Sequence, residues 1–110
     1  MKDATVYLVH IIEAMDRIAD YIVDGETEFQ NKTLIQDAVV RNLEIIGEAA
    51  KRVPDETREA SPSVPWKRLA GLRDVLIHQY EGVDLAQVWR VASEVLPLIR
   101  KEIQAILGRP

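Results

Sequence analysis

An all-α fold, built as an antiparallel bundle of four helices, is what this sequence predicts. Three observations carry it. Apolar residues recur at steps of three and four along several long stretches. No stretch alternates with the period of two that a half-buried strand needs. Proline, glycine and serine gather between the periodic stretches, where turns belong. The chain has 110 residues, 47% of them hydrophobic, which suits one domain over 1–110 with its own core. Short links between long helices favour the antiparallel arrangement.

The first helix is expected over 4–23, where Val6, Leu8, Val9, Ile11, Ile12, Met15, Ile18, Ala19 and Ile22 form the apolar stripe. Asp3 is positioned to cap it and Gly25 follows its end. His10 falls with Asp3, Glu13 and Arg17 toward the polar side and reads as a solvated histidine. Residues 24–32 read as a polar connector with Phe29 as its anchor in the core. A second helix is expected from Thr33 to Val53, with Leu34, Ala38, Val39, Leu43, Ile46, Ala49 and Ala50 facing inward and Pro54 ending it. Gly47 inside that helix costs about 1 kcal/mol relative to alanine, which close packing against a neighbour would explain. Glu48 is within reach of Arg52, Lys51 or Arg41, and Glu44 of Arg41, as surface pairs.

Pro54, Pro62 and Pro65 with Ser61 and Ser63 mark a loop, with one short turn at Glu56–Ala60. The third helix is expected from an N-cap at Ser63, with Pro65 in its first turn, to Tyr80. Trp66, Leu69, Ala70, Leu72, Leu76 and Ile77 are its apolar residues, and Gly82 breaks it. Asp84 caps a fourth helix that runs to Leu107, with Gln87 in the capping-box position and Pro97 expected to bend it.

Composition narrows the chemistry. The chain has no cysteine, so disulfides and thiolate metal sites are excluded. Two histidines do not make a multi-histidine zinc site within one chain, although carboxylate sites stay open. No apolar stretch approaches the roughly 18–20 residues that span a bilayer. Glu13 and Asp16 follow closely on the N-terminus, unlike a signal peptide, so a cytoplasmic protein is expected. The net charge of −4 argues against a broad, non-specific nucleic-acid binder but leaves room for a local positive field. Asp20, Asp24, Glu26 and Glu28 make one acidic stretch, whereas Lys67, Arg68 and Arg73 lie close together.

The chemistry concentrates in GLRDVLIHQYEGVDLAQVW, where the third helix meets the fourth. Arg73 is followed by four residues, then His78, one residue and Tyr80. This resembles the arginine–histidine–tyrosine signature of HepT toxins in the HEPN ribonuclease superfamily. RNLEIIGEAAKRVP at 41–54, VPWKRLAGLRD at 64–74 and GVDLAQVW with LPLI behind it are similar to the family's flanking helices, so nearly the whole chain is covered. The resemblance implies a helical bundle that dimerises and cleaves RNA without a metal ion or cofactor, at a composite site on the dimer interface. It also implies a type VII-like toxin–antitoxin system. There the partner is an MntA-type nucleotidyltransferase antitoxin, which neutralises the toxin by attaching AMP to the motif tyrosine, here Tyr80.

The residues can also be weighed by themselves. At about 100° per residue, Arg73 and Tyr80 share a stripe of a continuous helix, but Arg73 and His78 are about 140° apart. Either the helix ends or distorts before His78, or a second chain brings its own copy. A two-fold dimer sets two arginines and two histidines around one cleft. Arg73 would hold the scissile phosphate, and the two His78 copies would serve as base and acid. Asp74, four residues before His78, is placed either to orient the imidazole and favour its protonated form or simply as an exposed pair. Tyr80 is a candidate for catalytic support as well as for modification. Against this stands an ordinary helix end whose histidine caps carbonyls. Two other functions compete with the ribonuclease: a non-catalytic regulatory module partnered with a nucleotidyltransferase, and a purely structural helical dimer. No Gly-rich phosphate loop, nucleophile elbow or metal-binding run points to another enzyme class.

Overall fold

A computed structural model of the chain describes residues 3–78 and 84–108, with 73–78 as helical backbone alone. The described residues are helical, with no strand, and form the expected bundle. The helices are α1 (Ala4–Tyr21), α2 (Glu26–Asn31), α3 (Thr33–Arg52), α4 (Asp55–Ala60), α5 (Trp66–His78), α6 (Leu85–Arg90) and α7 (Leu96–Leu107). A π-helical turn, Val91–Val95, joins the last two.

Local signals set most of the ends. Asp3 accepts from the Thr5 amide at 3.0 Å and so caps α1. Asp84 accepts from the amides of Ala86 and Gln87 at 3.0 and 3.2 Å and caps α6. Gly25 precedes α2 with φ of 95°, a conformation that a Cβ would strain, which is why the chain can turn from α1 into α2 there. The expected 24–32 connector therefore contains a short helix. Gln36 secures it by donating to the carbonyls of Phe29 and Gln30 at 2.9 and 3.1 Å. The short turn expected at Glu56–Ala60 is α4.

Helix α3 is the spine of the bundle. It packs against α1 on one side and α5 on the other, while α7 closes on α1. Arg17 donates to Asn42 across α1 and α3 at 2.7 Å. At the opposite end Arg52 meets Tyr7, so the two helices run antiparallel. Asn42 is buried at 4% exposure, and its amide nitrogen donates to the Ala38 carbonyl at 2.9 Å, so both ends of this buried polar group are satisfied. Leu8, Ile11, Ile18, Val39, Leu43, Ile46 and Ile103 fill the centre. Gly47 is buried among the inward residues of α3. Asp16 accepts from Arg100 at 2.8 Å and ties α1 to α7.

Phe29 is fully buried and stacks at a tilt of 36° on Trp89, with ring centroids 5.5 Å apart. It thus anchors the α2 segment to α6, as the sequence suggests. Phe29→Ala removes that contact and leaves a cavity, and should lower stability by about 3–5 kcal/mol. Urea denaturation of the variant checks this: a shift under about 1 kcal/mol would mean that the α2 segment is not held by its anchor.

Several expectations are corrected. Leu34, assigned to the inner stripe, is 83% exposed, because it lies about 140° around α3 from Val39. Val9 is exposed as well. Ser63 is not the cap of α5. The helix starts at Trp66, the Pro65 carbonyl accepts from the Leu69 amide at 3.0 Å, and the Ser63 hydroxyl donates to Glu102 on α7 at 2.6 Å. The fourth helix is divided. Pro97 has no amide hydrogen and its ring crowds the carbonyl of Ser93, and the backbone widens into the π-helical turn just before it. In that turn the Leu96 amide reaches back to the Val91 carbonyl, and the Ser93 hydroxyl donates to the Trp89 carbonyl at 2.7 Å.

Candidate functional site

The motif sits on a firmly seated helix. Trp66 is buried, and its indole nitrogen donates to the Ser61 carbonyl at 3.0 Å, which fixes the start of α5. Val64 and Leu69 are also buried, so the first turn is pinned from both sides. From there α5 continues as regular helix through Arg73 and Asp74 to His78. Of the two ways to reconcile Arg73 with His78, a break in the helix before His78 is therefore removed. On an unbroken helix their Cα positions stand about 140° apart around the axis and about 7.5 Å along it. Asp74 and His78 are one turn apart on a shared face. Tyr80 lies outside the described residues.

The electrostatics of α5 favour an anion beside its first turn. Lys67 and Arg68 are exposed, and among the described residues neither has an ion-pair partner. The outer face of α3 differs. A depression of about 360 Å³ there is lined by Arg41, Glu44, Ile45 and Glu48. Its charges are answered locally: Arg41 pairs with Glu44 at 3.7 Å, and Glu48 pairs with Arg52 at 3.1 Å. The hydrogen bond from Arg52 to Glu48 is the main reason the guanidinium is held above its ordinary pKa. These pairs match the surface ladder expected from the sequence, and solvent screening leaves them weak. His10 is exposed on α1, as expected. Among the described residues no group of three histidines, aspartates or glutamates is placed to hold a metal ion. No helix among them is long and apolar enough to cross a membrane.

Gly71 in α5 is not singled out by any local pattern in the sequence, yet the structure gives it a distinct setting. A glycine inside a helix costs about 1 kcal/mol relative to alanine. Among the described residues, a Cβ added at Gly71 would meet nothing within 4 Å, so their packing does not require a glycine there.

The family profile described as "Ribonuclease HepT-like" matches residues 11–106, which takes in the whole motif. The chain belongs to the HepT-like ribonuclease family. Among relatives of this HepT-like chain, a protein of Methanocaldococcus jannaschii named "Putative RNase" is 47% identical over 107 residues, covering 96% of this chain and 88% of the relative. The "Probable ribonuclease HepT" of Thermococcus cleftensis is 35% identical over 109 residues, covering 91% of this chain and 92% of its own. A longer relative from Methanocaldococcus jannaschii, named "Gamma-glutamylcyclotransferase and putative RNase", is 44% identical over 107 residues. The HepT-like chain accounts for 96% of itself in that match but spans only 48% of that relative. No solved structure matches the chain. The resemblance carried by the 73–80 segment and its flanks is thus shown at the level of the family.

Proposed function

We propose that this chain is the toxin of a type VII-like toxin–antitoxin system, acting as a metal-independent endoribonuclease whose active site is shared by two copies. Membership of the HepT-like ribonuclease family supports an RNA substrate. The observation that carries the two-copy site is the unbroken course of α5 through His78. With about 140° between them, Arg73 and His78 of one helix do not by themselves form a complete site, whereas a two-fold pair of helices sets two arginines and two histidines around one cleft.

The roles follow from the chemistry of RNA cleavage through the 2′-hydroxyl. One His78 takes the proton from that hydroxyl as it attacks phosphorus, and the second gives a proton to the departing 5′-oxygen. Arg73 binds the phosphate and stabilises the charge that builds on its equatorial oxygens. Asp74, one turn before His78, orients the imidazole. Tyr80 is the residue on which an MntA-like nucleotidyltransferase antitoxin places AMP. The chain works as a single domain over 1–110 in the cytoplasm, with no membrane partner.

Light scattering and an RNA cleavage assay with excess EDTA test the proposal together. The expected result is a dimer at micromolar concentration that cleaves RNA equally well with and without chelator. A monomer with full activity would rule out the shared site. Cleavage abolished by EDTA and restored by a divalent cation would rule out the metal-independent chemistry.

A further inference from the structure

A groove of about 440 Å³ runs between α5 on one side and α6, the π-helical turn and α7 on the other. Its floor is apolar, with Leu69, Leu72, Val88 and Leu96 among the residues that line it. Among the described residues, Arg68, Gln87 and Arg90 are its polar lining residues, and no carboxylate lines it. Arg90 stands 3.7 Å from Glu94 with both side chains 72% exposed, a weak pair. Gly71 opens onto the same space, where a Cβ would touch nothing. The wider π-helical turn contributes Val91 and Val95 to the wall. Turns of this kind often mark places where a helix is shaped around a ligand.

The combination selects its occupant. An apolar slot with two arginines and, among the described residues, no lining carboxylate suits a flat, apolar body that carries negative charge. Its volume falls within the roughly 300–1,000 Å³ of small-molecule and nucleotide sites. Unpaired RNA bases are bound in this way, inserted against apolar side chains or arginine planes and read along their edges by amides such as that of Gln87. The groove also lies on the helix that carries the motif. Arg68 precedes Arg73 by five residues, about 7.5 Å along α5 and about 140° around it. A strand seated in the groove therefore has to cross the surface of α5 to reach Arg73.

We infer that this groove is an RNA-binding subsite that takes one unpaired base, with Gln87 at the base edge and Arg68 and Arg90 on the adjoining phosphates. The inference rests on the ribonuclease reading, and it adds the element that would give the cleavage site its sequence preference.

The test uses the full chain and a short, fluorescently labelled, single-stranded 2′-O-methyl RNA, which can bind but lacks the attacking hydroxyl. Gly71→Leu fills the groove from a position where a side chain meets no obstacle, and should weaken binding about tenfold without changing its salt dependence. Arg68→Glu and Arg90→Glu should each weaken binding comparably and also flatten the salt dependence, since each removes a phosphate contact. All three variants should keep the wild-type helical circular dichroism. Cleavage of ordinary RNA is assayed in parallel. Wild-type affinity in Gly71→Leu and in both arginine variants would overturn the groove while leaving a cleaving enzyme intact. Binding lost in the variants by a chain that never cleaves RNA would uphold the groove and defeat the ribonuclease. Preferential displacement of the RNA from the groove by an acidic helical peptide, with tighter peptide binding, would identify a protein docking surface and overturn the proposal.

Discussion

His78→Ala and Arg73→Ala should each reduce RNA cleavage by on the order of a hundredfold or more and abolish toxicity on expression. A positioned acid or base is typically worth about 10²–10⁴ in rate, and a donor aimed at developing charge about 10²–10³. The two variants should differ in how they fail. Without His78, a dimer loses both proton-transfer groups at once, so RNA still binds but does not turn over. Without Arg73, the phosphate is held less well and its transition-state charge is left uncompensated, so binding and turnover both suffer. Neither change should unfold the protein, because the buried residues that seat α5, Val64, Trp66 and Leu69, all precede the motif. Circular dichroism and light scattering serve as controls. A folded, dimeric variant that cleaves at the wild-type rate would remove that residue from the proposed site.

On the proposed function, co-expression with an MntA-like nucleotidyltransferase should silence the chain by placing AMP on Tyr80, and Tyr80→Phe should escape the modification. AMP transfer from ATP to the phenolic oxygen releases pyrophosphate and leaves a phosphodiester on the ring. In the proposed site, that group would bring bulk and negative charge where an RNA phosphate has to approach. Steric exclusion and like-charge repulsion both oppose substrate, and Arg73 can pair with the new phosphate instead. Inhibition of this kind requires no change of fold. Phenylalanine keeps the ring and removes only the accepting oxygen. Mass spectrometry of the co-expressed chain decides the matter. Neutralised toxin bearing no adenylyl group, or bearing it only on other residues, would rule the mechanism out.

Features encoded over a few neighbouring residues are legible in the sequence. The helical class follows from spacing, and the caps at Asp3 and Asp84 follow from a side-chain oxygen lying two or three residues before the amides it serves. Gly25 is readable for the same reason, and Phe29 is readable as the one large apolar residue in a polar connector. The motif of Arg73, His78 and Tyr80 is legible as an ordered string in a matching context, and the family comparison bears out that context. It is less legible as geometry, because spacing alone leaves open whether the helix breaks before His78.

Sequence by itself thus determined the all-α class, most helix ends and the family. Tertiary structure alone decided which faces are covered and which partners distant residues find. Leu34 obeys the apolar composition of its helix yet points away from the core, since periodicity defines a stripe but not where a neighbouring helix lies. Asn42 is buried because Arg17, 25 positions away, meets its oxygen, and Ser63 turns from capping to Glu102, 39 positions away. The groove beside Gly71 exists only because α5 and the α6–α7 segment leave space between them, with Pro97 and the π-helical turn setting the backbone on one side. Capping and periodicity act within a few residues and are written locally; burial, long-range hydrogen bonds and cavities depend on helix–helix packing, which no local pattern specifies.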